Sequence, residues 1–137
     1  MRLVALALAV GIAAGTAAQQ PSAPPGSAGP WMVFFDWGKP DLRGDDQSVL
    51  DQVAAAYQAR PSGHLQLTGH TDRSGSAAIN RAAGLRRAHT IRAELEKRGV
   101  SRNAISVASF GEERPLVPTE DGVREVQNRR VVIAFEN

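Results

Sequence analysis

Asp72 and Arg87 are oppositely charged residues whose positions allow them to act on one ligand. Asp72 follows an alternating apolar segment and stands in a glycine-flanked stretch typical of a loop. Arg87 lies on the helix predicted next, seven positions after Asn80, so these two side chains share nearly the same helix face. A guanidinium binds a carboxylate through two parallel hydrogen bonds, and a carboxylate accepts from an ammonium group. One acid and one arginine therefore suit the head group of an amino acid.

A structural interpretation of the same pair stays open. Asp72 and Arg87 could pair with each other or only with solvent, as most surface charges do. Gly84, one turn before Arg87, favours a ligand, since a helix without a side chain there would leave a shallow hollow. Arg129 and Arg130 open the last predicted strand, where successive side chains point to opposite faces. At most one of these two arginines can therefore line the same pocket.

Other chemistries have less support. His70 and Asp72 could ligate a metal ion, but no further histidine is spaced to complete a four-ligand site, so no metal or other cofactor is expected. A hydrolase needs a nucleophile or two carboxylates in different environments, and the chain has no Ser-His-Asp signature. We therefore expect a protein that is not an enzyme. The aromatic residues from Trp31 to Trp37 are expected in the core, except Trp37, which could stack on a base or a sugar.

The elements that must position these side chains follow an α+β pattern. Strands are predicted at about residues 31–36, 64–68, 105–110 and 131–135, and helices at about 47–58 and 76–98. This βαβαββ order predicts one mixed sheet with two helices packed on one face. Asp45 or Asp46 is a plausible N-cap of the first helix. Along the second, an apolar stripe is expected to contain Leu85, Ala88, Ile91 and Leu95, and residues 112–127 are expected to form a loop.

The chain is predicted to have three segments. Residues 1–18 have a basic start, an apolar run and small residues before Ala18, which predicts a secretory signal peptide cut after Ala18. Residues 19–30 are rich in Pro, Gly, Ser and Ala, as in a flexible tether. Residues 31–137 have the length of one modest domain, without a predicted transmembrane segment.

Composition narrows the class of protein. The chain has no cysteine, so disulfides and a lipidated cysteine are not expected, and the mature protein is expected to be soluble. The net charge of +2 is too small for a protein whose main partner is nucleic acid.

Several short motifs in order across residues 32–135 resemble the OmpA-like C-terminal domain family. They are Val33–Asp36, Gly69–Asp72, Gly75, Asn80, Arg87, Ala88, Phe110–Glu112, Pro115 and Asn128–Val131. The resemblance implies a non-catalytic periplasmic module that binds the peptide stem of peptidoglycan through meso-diaminopimelate. It also implies association with the cell wall, and contact with outer-membrane or other envelope proteins as partners.

The resemblance assigns roles residue by residue. Asp72 would take the diaminopimelate ammonium group and Arg87 its carboxylate, and the same pocket would be lined by Asp36, Thr71, Asn80 and Arg129. Ala83, Gly84 and Trp37 depart from the residues common in the family, which puts the shape of the pocket in question. An envelope protein–protein adaptor with this fold is the alternative function, and a cell-wall hydrolase is a more remote one.

Overall fold

The structure, a computed structural model, describes residues 29–136. The helices and strands are β1 Trp31–Phe34, α1 Gln47–Ala59, β2 Leu65–His70, α2 Ala77–Lys97, β3 Ile105–Gly111 and β4 Arg130–Phe135. This order confirms the predicted α+β fold. The predicted signal peptide, and the predicted tether up to residue 28, lie outside the described residues.

The four strands form one mixed sheet in the order β1-β4-β2-β3. β4 lies antiparallel to both β1 and β2, whereas β2 and β3 are parallel. Parallel neighbours need a long crossover, and α2 provides it. Arg130 at the start of β4 lies opposite Phe34 on one side and His70 on the other. The ends of β1 and β2 and the start of β4 therefore meet at one edge of the sheet.

The hydrophobic core lies between the sheet and the two helices. Alternate residues of the strands point into it, as a half-buried sheet requires. The fully buried strand residues include Val33, Leu65, Leu67, Val131 and Ile133, and the helices contribute Leu50, Val53, Ala88, Ile91 and Leu95. Burying a side chain of this size stabilises the fold by about 1.5–3 kcal/mol.

The start of α1 is tied to the end of β1. Asp46 precedes α1, but its side chain makes no capping hydrogen bond. Its carboxylate instead accepts from the backbone N–H of Phe34, at 3.1 Å. Burial raises the pKa of Asp46, although this hydrogen bond and nearby Arg43 oppose the effect. Asp46 thus connects helix to strand and does not cap the helix through its side chain.

Helix α2 begins and ends close to the predicted positions, but its buried stripe differs from the predicted one. Ser76 caps the helix by accepting from the N–H of Ile79 at 3.2 Å, and Gly99 follows the helix with a φ of 90°. Leu85, predicted in the stripe, is 38% exposed. The buried positions in that half of α2 are instead Asn80, Gly84 and Arg87. The prediction for Leu85 was therefore wrong.

Candidate binding site at the edge of the sheet

Three loops converge at the edge where β1, β2 and β4 meet. The loop after β1 spans residues 35–43, the loop after β2 spans 71–76, and the last turn before β4 includes residues 124–129. Arg129, in that last turn, connects it to the other two, because its Nε donates to the Phe35 carbonyl at 3.0 Å and its Nη1 contacts Asp72. The Glu125 N–H donates to Asp72 at 3.2 Å. Residues far apart in the chain thereby form one polar cluster.

Asp72 lies at the centre of the cluster and is 2% exposed. One of its oxygens, Oδ1, accepts from the N–H and the hydroxyl of Ser74, at 3.1 and 2.5 Å. The other, Oδ2, accepts from the Glu125 N–H and from Arg129 Nη1, the latter at 2.6 Å. Burial alone would raise the pKa of Asp72, but these hydrogen bonds outweigh it and lower the pKa. Asp72 is therefore a carboxylate at neutral pH, with all of its acceptor positions in use.

Arg87 reaches the cluster from α2 and is 5% exposed. Its Nε donates to the Lys39 carbonyl at 3.3 Å, and its guanidinium lies 5.4 Å from the centre of the Phe35 ring. Burial, with the nearby positive charge of Arg129, lowers the pKa of Arg87 to about 10, although Asp72 opposes the shift. Within residues 29–136, no carboxylate forms an ion pair with Arg87.

The two charges singled out in the sequence lie in one cluster but do not pair with each other. Asp72 forms its ion pair with Arg129. The structural interpretation had the wrong partner for Asp72, and Arg87 is neither paired with an acid nor freely solvated. The two termini of the Arg87 guanidinium have no hydrogen-bond partner among residues 29–136, yet neither is sealed from solvent. Arg87 is therefore a buried cation that can bind an anionic group.

Thr71 and Asn80 lie in the same cluster. Thr71 is 3% exposed, and its N–H donates to the Gly111 carbonyl at 2.8 Å. Its hydroxyl is buried without a hydrogen-bond partner in the described part of the chain. Asn80 is 4% exposed, and its amide donates to the Gly75 carbonyl at 3.5 Å, a weak bond that links α2 to the loop after β2.

Asp36 lies at the margin of the cluster. Its side chain is 68% exposed and forms a 3.9 Å ion pair with Arg43. Its carbonyl accepts from the Lys39 N–H, which closes the turn that brings Lys39 to Arg87. Of the six residues predicted to line the site, five are therefore buried together, and Asp36 contributes mainly through the turn.

Gly84 does not form the hollow expected from the sequence. It is buried against β2, and a Cβ atom added there would lie 3.1 Å from the backbone of Gly69 and collide with the Ser109 hydroxyl. The missing side chain allows the backbone of α2 to approach the sheet closely. It does not admit a ligand, so this prediction was wrong.

Ser74, and the backbone groups of Lys39 and Glu125, were not predicted as part of the site. Ser74 had a local signal, since an aspartate followed two positions later by serine is typical of a turn in which the carboxylate accepts from that N–H. The carbonyl of Lys39 and the N–H of Glu125 had no such signal in the sequence, because the backbone of any residue type can provide these groups.

The neighbouring Asn128 and Arg130 have structural roles outside the cluster. The Asn128 amide accepts from the Val117 N–H and donates to the Val117 carbonyl, both at 2.8 Å, so it anchors the long loop before β4. Arg130 donates to the Asn128 and Arg114 carbonyls, at 3.5 and 3.1 Å. Of the adjacent pair Arg129 and Arg130, only Arg129 contacts Asp72.

Two further properties concern residues 29–136. They contain no group of three or more His, Cys, Asp or Glu side chains arranged to hold a metal ion. Neither helix in this range has the length and hydrophobicity needed to cross a membrane.

Comparison with curated proteins finds relatives from bacterial envelopes. The chain is 36% identical over 115 residues to an outer membrane protein of Gluconacetobacter diazotrophicus, a match that covers 80% of this chain and 30% of that protein. It is 35% identical over 103 residues to a peptidoglycan-associated lipoprotein of Haemophilus influenzae, with 75% and 67% covered. The chain thus spans about a third to two thirds of the length of these two relatives.

Solved structures with the same fold include a peptidoglycan-associated lipoprotein and a MotB domain. The peptidoglycan-associated lipoprotein of Burkholderia pseudomallei superposes with a TM-score of 0.72 at 30% identity, over 77% of this chain and 89% of that one. The C-terminal domain of Helicobacter pylori MotB gives a TM-score of 0.68 at 22% identity, with 81% and 86% covered, and shares the fold. The relatives confirm the expectation that this protein is not an enzyme. The model of the OmpA family matches residues 34–129, and the chain therefore belongs to the OmpA family.

Proposed function

We propose that this protein is a non-catalytic peptidoglycan-binding protein of the cell envelope, and that the Asp72–Arg87 cluster holds the diaminopimelate of the stem peptide. Relatives named for their association with peptidoglycan support the first part. The chemistry of the cluster supports the second. The side chain of meso-diaminopimelate ends in its own ammonium and carboxylate groups, which match one acidic and one basic side chain.

The observation that carries the proposal is the Arg87 guanidinium, which is buried but has no carboxylate partner within residues 29–136. A buried charge without a partner is costly, so a protein retains one where a ligand completes the pair. The planar fork of the guanidinium suits two parallel hydrogen bonds to a carboxylate. We infer that the ligand carboxylate binds Arg87.

The ammonium group binds Asp72 on the side of Ser74. Arg129 and the Glu125 N–H hold Oδ2, whereas the Ser74 hydroxyl that donates to Oδ1 can rotate away. The ammonium group donates to Oδ1 in place of that hydroxyl proton, without displacing the Ser74 oxygen, while the ion pair between Asp72 and Arg129 persists. Asp72 thus contacts the ligand and the last turn before β4 at the same time.

Co-sedimentation with purified sacculi, with free meso-diaminopimelate as competitor, tests the proposal. Arg87→Ala should weaken binding at least about thirtyfold, because losing one partner of a desolvated charge pair costs about 2–5 kcal/mol. Arg86→Ala is the matched control, since Arg86 is the exposed neighbour on the same helix. It should leave binding nearly unchanged.

Two outcomes would contradict the proposal. Undiminished binding by a folded Asp72→Asn, Arg87→Ala double variant would exclude this site and favour the envelope adaptor. Release of muropeptides from sacculi during incubation would reveal a hydrolase.

We also propose that the protein is exported to the periplasm, where it associates with the cell wall and meets outer-membrane or other envelope partners. The apolar run and the small residues before Ala18 support export. Mass spectrometry of the purified cellular protein should find an N-terminus at Gln19. An intact N-terminus on membrane-bound material would contradict this.

A further inference from the structure

Trp37 is an exposed aromatic residue whose orientation is nevertheless restrained. It is 49% exposed, in the loop after β1. Its Nε1 donates to the Ser74 hydroxyl at 3.0 Å, and the Arg124 guanidinium lies 3.5 Å from the centre of its ring. A hydrogen bond at the edge and a cation on one face hold the indole in place. We call Trp37 and Arg124 the indole platform.

The indole platform adjoins the Asp72–Arg87 cluster. The Ser74 hydroxyl that accepts from Trp37 is the one that donates to Asp72. Lys39, two residues after Trp37, supplies the carbonyl that binds Arg87, and Arg124 precedes the residue whose N–H binds Asp72. A ligand held between Asp72 and Arg87 therefore lies directly beside an exposed aromatic surface.

We propose that the indole platform is a saccharide subsite, which takes a pyranose ring of the glycan strand to which the stem peptide is attached. This inference rests on the proposed function. A pyranose ring has an apolar face of C–H groups that packs on an aromatic ring, while its hydroxyl and acetamido oxygens accept from a guanidinium. The indole platform offers both surfaces.

The reach of the stem peptide is compatible with this arrangement. Diaminopimelate is the third residue of the stem, so two residues and the lactyl linker separate it from the sugar, a span of at least about 7 Å when extended. Hydrogen bonds of 3.0 and 2.5 Å, through Ser74, connect the indole to Asp72. A stem that folds back is therefore long enough to bring the sugar over the indole platform.

Isothermal titration calorimetry with two ligands tests the subsite. One ligand is the free stem tripeptide that ends in diaminopimelate, and the other is the same tripeptide on its disaccharide. The unmodified protein should bind the disaccharide form about three- to tenfold more tightly, the gain expected of one aromatic contact. Trp37→Ala should abolish this difference while it leaves the affinity for the tripeptide nearly unchanged.

Three variants separate stacking from an effect on Asp72. Trp37→Phe keeps a ring but loses the hydrogen bond to Ser74, and should keep most of the preference for the disaccharide form. Ser74→Ala keeps the ring but removes the hydrogen bonds that Ser74 makes to Trp37 and Asp72, so it should change the affinity for the tripeptide and, like Trp37→Phe, keep most of the preference for the disaccharide form. Leu85→Ala, at an exposed apolar residue of α2, should change neither.

Equal affinity of the unmodified protein for the two ligands would overturn the inference, as would an equal loss for both ligands in Trp37→Ala. In either case, binding of the tripeptide that depends on Arg87 would leave the proposed function standing. If neither ligand bound, the proposed function would fail together with the subsite.

Discussion

Asp72 has two partners with different requirements, the buried Arg129 and the proposed ligand. Two of its four hydrogen bonds, from Glu125 and Arg129, connect the loop after β2 to the last turn before β4. Arg129 is almost as buried as Asp72 and has no other acidic partner within residues 29–136. Loss of the carboxylate would therefore leave a buried cation unpaired. Arg87 has no such partner to lose.

We expect Asp72→Asn to destabilise the domain by about 2–4 kcal/mol, because breaking a buried ion pair by removing one partner typically costs about 3–5 kcal/mol and asparagine keeps one acceptor oxygen. Arg87→Ala should cost clearly less, since it breaks no internal ion pair and relieves the burial of an unpaired charge. Urea unfolding of the purified proteins measures both changes.

Both variants should weaken ligand binding, so the comparison separates two functions of the cluster. A loss of stability in Arg87→Ala equal to that in Asp72→Asn would contradict the distinction. It would mean that the Arg87 contacts with Lys39 and Phe35 stabilise the fold as much as the ion pair of Asp72 does.

His70 makes the stability of the folded protein depend on pH. It is 4% exposed, and its ring packs at 5.8 Å from the Phe110 ring. Burial, with the charges of Arg130 and Arg114, lowers the pKa of His70 from 6.5 to about 4. The folded protein therefore keeps His70 neutral in a range where the unfolded chain binds a proton. Acidification favours the unfolded state in that range.

We expect stability to fall by about 2–3 kcal/mol between pH 6.5 and 4 because of His70, at 1.36 kcal/mol for each pKa unit. His70→Phe keeps an aromatic ring against Phe110 and should flatten the curve in that window. The Asp72 contribution is present above about pH 3.9 and is lost as the pH falls through its lowered pKa in the folded state. Urea midpoints measured across the pH range distinguish the two, and an unchanged slope in His70→Phe would refute the assignment.

Residue spacing predicted part of the geometry of the site, but not how its charges pair. Asn80 and Arg87 share a helix face by periodicity alone, and both are buried at the site. The ion pair of Asp72 with Arg129 joins residues 57 positions apart, so only the sheet order brings them together. Asp36 shows the same limit, because its exposure depends on a turn that local sequence does not determine.

At the scale of elements, the contact between α2 and β2 sets the position of Arg87 and Asn80. Gly84 and Gly69 face each other where helix and strand cross. Ser109 of β3 fills the space that a side chain at Gly84 would need. The helix can therefore lie close enough to the sheet for Arg87 to reach Lys39.

We expect Gly69→Ala to destabilise the protein by at least about 2 kcal/mol, in the upper half of the usual overpacking cost of about 1–3 kcal/mol, because its new Cβ would meet the backbone of Gly84. Gly84→Ala should cost less. The nearest obstacle there is the rotatable Ser109 hydroxyl, and alanine in a helix gains about 1 kcal/mol over glycine. Thermal unfolding of both variants ranks them, and a greater loss in Gly84→Ala would show that the helix does not approach the sheet as described.

The predicted stripe of α2 shows why element boundaries were easier to predict than faces. The Ser76 cap and Gly99 mark the ends of α2 through local chemistry. Which face of α2 is buried depends on the residues of the sheet that it packs against. Near the site these are polar loop residues and Gly69. Hydrophobic periodicity therefore placed the exposed Leu85 in the core.

At the scale of the whole molecule, the site depends on the strand order. β4 pairs with both β1 and β2, so the loop before it lies between the loops that follow them. The Asn128 bridge to Val117 fixes that loop, which positions Arg129 against Asp72. The order βαβαββ was predictable from hydrophobic periodicity, but the central position of β4 came only from the structure.

The last prediction concerns the boundary of the domain. Trp31 is 2% exposed and is the first residue of β1, so the core begins there. The preceding residues are poor in large apolar side chains that could add to the core. Removal of residues 1–30 should therefore leave the melting temperature within about 4 °C of that of the chain that begins at Gln19, a range that corresponds to less than about 1 kcal/mol for a domain of this size. Circular dichroism of the two proteins measures the difference, and sacculus binding should persist in the shorter one. A larger drop in melting temperature would show that residues before Trp31 stabilise the fold and that the domain extends beyond the predicted boundary.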